Sequence, residues 1–317
     1  MIKIRCLSQV IILLIMWKSI TLAFFDYSHN ISGAFAKIDT VCSVNKSDLS
    51  KVVLLTKHSP KLNGKARIKG SVRVLLAEAF NISGNVVVTG DIYVPGSPKI
   101  KNSPNATYQG AVTGDGDKNP NNYTIKLSGN SRINRIVTCT DGVNLGAIPA
   151  IIQTQGTRDL FLIKGDKPGD FSTVRDITLT KRYNLLLEIP EGSYGNFRAD
   201  RRSGFILGMD NKETVYNLQS LELNSDAVLQ IKGKVIINVR NGITLNSNAK
   251  MGDIDRFANL SVNVESGTIK LNSNAEFYGL LNAPTGTLIL NSNSKLIGSV
   301  ICDKAMLNSN SLLKDGI

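Results

Sequence analysis

From residue 203 to the end of the chain, apolar residues alternate with polar or small ones over short runs, each closed by asparagine, serine or glycine. Lys234-Val-Ile-Ile-Asn-Val239 and Gly286-Thr-Leu-Ile-Leu290 are typical: rich in Val and Ile, and bounded by turn formers. Such runs predict short β-strands, and nothing in 203–317 carries the 3.6-residue period of a long amphipathic helix.

The turns themselves recur. Leu-Asn-Ser stands at residues 223–225, 245–247, 271–273, 290–292 and 307–309, followed by Asn248, Asn274, Asn293 or Asn310 in four copies and by Asp226 in the first. A small residue comes next, usually ahead of a β-prone run to a glycine. Successive copies start 22, 26, 19 and 17 residues apart. Weaker forms lie upstream: Leu62-Asn-Gly-Lys-Ala66, Ile82-Ser-Gly-Asn-Val86 and Leu127-Ser-Gly-Asn-Ser131. A repeat of this length with several short strands predicts one coil of a parallel β-solenoid. The competing arrangement is an antiparallel sandwich with Asn-Ser turns, and recurrence of the whole phrase favours the solenoid. Leu and Val then point into a dry interior. Asn takes the corner, because it tolerates left-handed backbone angles and bonds its own main chain. Stacked corners predict an amide ladder through Asn246, Asn272, Asn291 and Asn308, or through their partners two residues on.

Seven of the nine prolines fall between Pro95 and Pro190, which predicts long loop insertions at 95–122 and 146–182 in the middle coils. The expected organisation is a signal peptide at 1–23, a cap or lead-in at 24–59, early coils with insertions at 60–205 and regular coils at 206–317. The last phrase ends seven residues before Ile317, leaving little chain to cover the final coil. An open β edge invites another chain, so a homo-oligomer through coils 290–313 is expected.

Several phrases resemble a β-helical repeat family of exported bacterial proteins, built on L-N-G-N or L-S-G-N coils. It is related in style to choice-of-anchor surface domains and polymer-forming bactofilins. The phrases lie at 86–98 (VVVTGDIYVPGSP), 127–137 (LSGNSRINRIV), 168–179 (PGDFSTVRDITL), 189–197 (IPEGSYGNF) and 271–300. The resemblance spans roughly 62–313 and implies a structural or adhesive role at a cell surface or in its matrix rather than a reaction. The chain departs from the pattern in its basic charge and in placing Ser where Gly is usual in the corner.

Export is expected from the N-terminus. Lys3 and Arg5 precede an apolar run at 10–16, and Thr21-Leu-Ala23 offers a small residue for cleavage. Lys18 interrupts that run too early for a spanning helix, so an uncleaved anchor is the lesser alternative and no membrane span is expected in the mature chain. The mature protein is placed outside the cytoplasm, secreted or at the cell surface.

Both histidines, His29 and His58, lie before residue 59, which rules out His-based triads and multi-His metal sites in the body. Asp115/Asp117 and Asp253/Asp255 could supply the two carboxylates of a glycoside hydrolase, yet nothing in their spacing selects them. Asp115-Gly-Asp-Lys-Asn119 alternates oxygen ligands, yet Pro120 and Lys126 occupy the Gly and Glu positions of an EF-hand. No catalytic residue, metal site or cofactor is therefore expected. Of Cys42, Cys139 and Cys302, at most two pair.

Charge adds a second reading. Without residues 1–23 the chain has 34 basic and 25 acidic residues. Lys65, Arg67, Lys69 and Arg73 belong to a basic stretch at 51–73, and Arg198, Arg201 and Arg202 follow Tyr194 and Phe197 on an expected loop. Both are candidate grips for a polyanion, with acidic polysaccharide the expected partner and polysaccharide binding or cleavage the alternative function. Nucleic acid is not expected, since export argues against it and no aromatics interleave with the bases.

Overall fold

The alternation resolves into three parallel sheets that wrap one dry core. The structure, a computed structural model, describes residues 52–148, 150–181 and 185–316. The leader expected at 1–23 and the segment 24–51 lie outside the described residues, as does Cys42. Each regular coil lays one short strand on each of three faces. On the first face Thr268–Leu271 pairs with Gly242–Leu245; on the second Glu276–Tyr278 pairs with Lys250–Gly252; on the third Leu260–Val264 pairs with residues 235–239. Repeated along the chain, this gives an all-β parallel β-solenoid of about 11 turns. Leu271, Phe277, Val262 and Val264 point inward and are fully buried, as are their counterparts in neighbouring coils.

The repeated phrase forms the corner between the first and second faces. In Asn246-Ser-Asn-Ala249 the Ala249 N–H donates to the Asn246 carbonyl at 2.9 Å, and Asn248 has φ 59°. A positive φ at the second central residue is the pattern of a type II turn, and Asn is a side chain that accepts it. In Asn63-Gly-Lys-Ala66 the positive φ sits one residue earlier, on Gly64 at 65°, the type II′ pattern. Ser replaces Gly in the C-terminal corners because the left-handed position has moved to the following Asn.

Spatial order departs from chain order. Residues 300–302, 306–307 and 312–314 pair with 54–56, 61–62 and 67–69, so the last coil stacks directly on the first. The open edge expected at 290–313 is therefore absent: that coil lies between two others. The first coil starts at Val52–Thr56, inside the span expected as a lead-in. Beyond it come coil 80–93, then 124–138, with 99–113 outermost, because 124–127 pairs with both 80–82 and 99–102. The expected loop 95–122 thus carries three strands, Lys99–Asn102, Thr107–Tyr108 and Ala111–Thr113. Their apolar pattern is diluted because a terminal coil buries only one side. The expected loop 146–182 likewise holds Arg158–Leu162 and Val174–Leu179, at the opposite end of the stack.

Residues 141–157 return the chain from one end to the other. Crossing about nine coils at about 4.8 Å each needs about 43 Å, within the roughly 56 Å that this length reaches when extended. The strap lies on outward positions of the third face. Val143 and Leu145 pack on Leu55, Tyr93, Val137 and Ile301, making a second apolar cluster outside the solenoid interior.

The two ends differ. Phe171, in the turn Phe171–Thr173, packs on the core beside Arg158–Leu162. At the other end Ile100 and Tyr108 are partly buried; among the described residues the strands of 99–113, like Arg158–Leu162, pair on one side only.

Candidate functional site

The corner amides form one hydrogen-bonded column. Each Nδ2 donates to the Oδ1 of the coil below: Asn63 to Asn308 (3.0 Å), Asn308 to Asn291 (2.9 Å), Asn291 to Asn272 (2.9 Å), Asn272 to Asn246 (2.8 Å) and Asn246 to Asn224 (2.8 Å). Asn224 donates to Asp200 at 2.8 Å, so a carboxylate ends the column. An amide can both give and accept within the column, whereas its last member needs only to accept, which suits Asp. The partners two residues on serve the backbone instead, and Asn248, Asn274, Asn293 and Asn310 supply the left-handed angle, near 60° in each. The column bridges the junction between the last and first coils, through Asn63 and Asn308.

A second amide column went unread in the sequence. Asn263 donates to Asn238 (2.8 Å), Asn238 to Asn217 (2.9 Å) and Asn217 to the Ser193 hydroxyl (3.0 Å), with Asn282 above at 3.3 Å from Asn263. Asn217, Asn238 and Asn263 are buried although they point away from the interior. The signal was Asn between two inward apolar residues, as in Ile237-Asn-Val239 and Val262-Asn-Val264.

The basic stretch does not act as a unit. Arg73 is fully buried on the third face, between Leu55 and Tyr93 in neighbouring coils, and its guanidinium donates to the Asp141 carbonyl at 2.5 Å. It serves to fasten the strap and offers a ligand nothing. Lys65 is exposed at the corner, and Arg67 and Lys69 are exposed on the second face. Arg198 lies in a strand, Asn196–Ala199, with Asp200 at 3.1 Å and Glu222 at 3.2 Å. Arg201 faces Asp226 at 3.4 Å, and Arg202 takes the left-handed position, φ 62°. Ala199-Asp-Arg-Arg-Ser203 is thus a disguised copy of the repeat corner rather than a loop. It sits about six coils, about 29 Å, from residues 65–69. Arg198 and Arg201 there are held by carboxylates, and Arg202 is exposed.

Register brings other bases to Lys65, Arg67 and Lys69. Lys61 lies beside Asn81 on the first face; Lys126 pairs with Asn81 on one side and with Lys101 on the other. On the second face Lys69 pairs with Lys314, and Val87 alone separates Arg67 from Arg132. Charge is segregated accordingly. Residues 52–140 hold twelve basic and four acidic residues, and 141–316 hold nineteen and eighteen. In the second block acids pair with bases, as in Arg175–Asp159, Lys232–Glu188, and Lys250 and Lys295 on Glu276. In the first, Glu78 faces His58 at 2.8 Å, and Asp91 faces Arg135 at 2.5 Å.

The carboxylate pairs weighed for chemistry have local duties. Asp253 accepts from the Asp255 N–H and pairs with Arg256 at 3.0 Å, while Asp117 accepts from the Asn119 N–H. Among the described residues no three His, Cys, Asp or Glu gather as metal ligands, and no helix is long and apolar enough to cross a membrane. Cys139 and Cys302 are buried free thiols, and burial pushes the Cys302 thiol up to about 12. A groove of about 670 Å³ runs beneath the strap between Leu75, Leu76, Leu145, Ile148 and Pro284. The chain matches no known protein family, no curated protein and no solved structure.

Proposed function

We propose that this chain is an exported, non-enzymatic structural or adhesive component of a cell surface or its matrix, working as a stiff β-solenoid. The amide column supports this reading most directly. It continues through seven successive corners and ties the first coil to the last, a construction that resists bending and unwinding at the junction. Resemblance to repeat coils of exported bacterial surface proteins points the same way. The body is about 50 Å long, from about 11 turns at about 4.8 Å each. Any longer assembly therefore requires end-to-end contact. Among the described residues the terminal strands, those of 99–113 at one end and Arg158–Leu162 at the other, pair on one side only, whereas coil 300–314 is covered on both sides.

Negative-stain electron microscopy and light scattering of residues 24–317 across a concentration series test the proposal. Stiff particles about 50 Å long, joined end to end as concentration rises, are the expected result. Flexible or compact particles would defeat the rod. Uniform monomers at every concentration would leave an adhesive unit and remove the self-association.

A further inference from the structure

The basic residues of coils 61–69, 124–138 and 99–113, with Lys314, form a band around one corner of the solenoid, carried across coil 80–93 by Asn81. Down the first face, four outward positions follow one another at successive coils: Lys61, Asn81, Lys126 and Lys101, all exposed. Lys65 stands at the corner, and Arg67, Lys69, Lys314 and Arg132 continue around it on the second face. None of these bases has a carboxylate partner among the described residues, whereas bases nearer the other end are mostly paired.

Two contacts in the band oppose folding. Lys126 is in register with Lys101, and Lys69 with Lys314, and like charges facing each other across neighbouring strands are destabilising. A pairing of that kind is relieved by an anion placed over it. Amides are interleaved with the charges: Asn81 between Lys61 and Lys126, and the exposed pair Asn130–Asn85 at the corner, 3.2 Å apart. No aromatic ring lies among these outward positions, so the band offers no platform for stacked bases. Ammonium groups interspersed with amides suit a chain that carries both anionic groups and hydroxyls.

We propose that the band binds a linear acidic polysaccharide lying along the solenoid axis. Its carboxylates or sulfates meet Lys61, Lys126 and Lys101, and its hydroxyls meet Asn81 and the corner amides. One sugar ring and its linkage advance by a length comparable with one coil, about 4.8 Å, so successive sugars meet successive coils. The inference stands on register and charge, independently of any end-to-end assembly.

Titration calorimetry of the full chain with polygalacturonate and with heparin, at low and high salt, separates carboxylate from sulfate as the preferred anion. Binding to at least one that weakens as salt rises is expected, because exposed charge attraction is screened. The triple variant K61A/K101A/K126A should lose at least tenfold in affinity. The triple variant K164A/K167A/K234A, with the same change of net charge outside the band, should bind as the parent does. Lys101→Gln should raise the melting temperature of the unliganded protein by relieving its contact with Lys126, while weakening binding. Equal losses in both triple variants would reduce the effect to bulk charge and overturn the proposal. So would no binding to either polymer, or tighter binding to single-stranded DNA of matched charge.

Discussion

Asn272 both gives and takes in the corner column, donating to Asn246 and accepting from Asn291. Asn272→Ala leaves two partly buried amides each short of a partner and should cost roughly 1–3 kcal/mol, read as a lower urea midpoint. Asn272→Asp should cost more at neutral pH than in mild acid, because an ionised carboxylate faces the Asn246 Oδ1 instead of donating to it. At Asp200 the same side chain is at home, since it accepts from Asn224 at the end of the column. These roles explain how far the residues could be read from sequence. The phrase itself offered Asn246, Asn272, Asn291 and Asn308, or their partners two residues on, because identical residues at one period must stack if the coils do; the hydrogen bonds select the first set. Asp200 stayed hidden, since Ala199-Asp-Arg-Arg-Ser203 shares almost no letters with Leu-Asn-Ser-Asn-Ala and is equivalent only in backbone angles. Arg73 is a different case. Alternation correctly turns it outward, and a distant segment then covers it.

At the scale of strands, three neighbours on the second face share one carboxylate. Glu276 lies between Lys250 (3.2 Å) and Lys295 (2.9 Å) and accepts from the Tyr278 hydroxyl at 2.7 Å. Burial works to raise its pKa, but hydrogen bonds from Tyr278, Lys295 and Lys250 together hold the carboxyl down to about 2. A depressed folded-state value means that the stabilisation is complete above the unfolded carboxyl's value of about 4.3. It is lost as pH falls through about 2. Glu276→Gln should therefore lower the melting temperature at pH 6 and flatten its decline between pH 5 and pH 2. An unchanged acid profile would show that the two lysines contribute little. Strands of this kind were legible where the repeated phrase marks the coil; Val174–Leu179, paired on both sides but without the phrase, fell in an expected loop. Lys99–Asn102 was not legible either, because Lys99-Ile-Lys-Asn102 has a single apolar residue and lies among prolines and asparagines. A terminal coil packs on one side only and needs no stronger pattern. Likewise the strap 141–157 holds Val143 and Leu145 at a spacing of two, too brief to distinguish from an ordinary loop.

For the whole molecule, the sequence carried the coil and its corner but not the order of coils. Pairing of parallel coils depends on matching cross-sections, and any two similar coils match; no local pattern says that the last should sit on the first. The consequence is testable at Leu307, which is fully buried between Leu290 and Leu62 in the interior. Leu307→Lys places an unpaired charge in the core and should cost more than about 3 kcal/mol. The expected outcome is loss of cooperative thermal unfolding by circular dichroism. A variant that melted like the parent would mean that coils 300–314 and 52–69 are not joined in solution.

That junction also sets a timetable. There the Thr56 hydroxyl donates to the carbonyl of Asp303, 247 residues further along the chain. At about 5–20 residues per second, the ribosome needs about 12–50 s to deliver the second after the first. Throughout that interval the earliest coil shows a bare strand edge and the apolar side chains of Leu54, Leu62 and Ile68 to whatever is nearby. A nascent chain is thus at its most adhesive before it is complete, and a chaperone that shields residues 52–74 would have most to do before the last coil arrives.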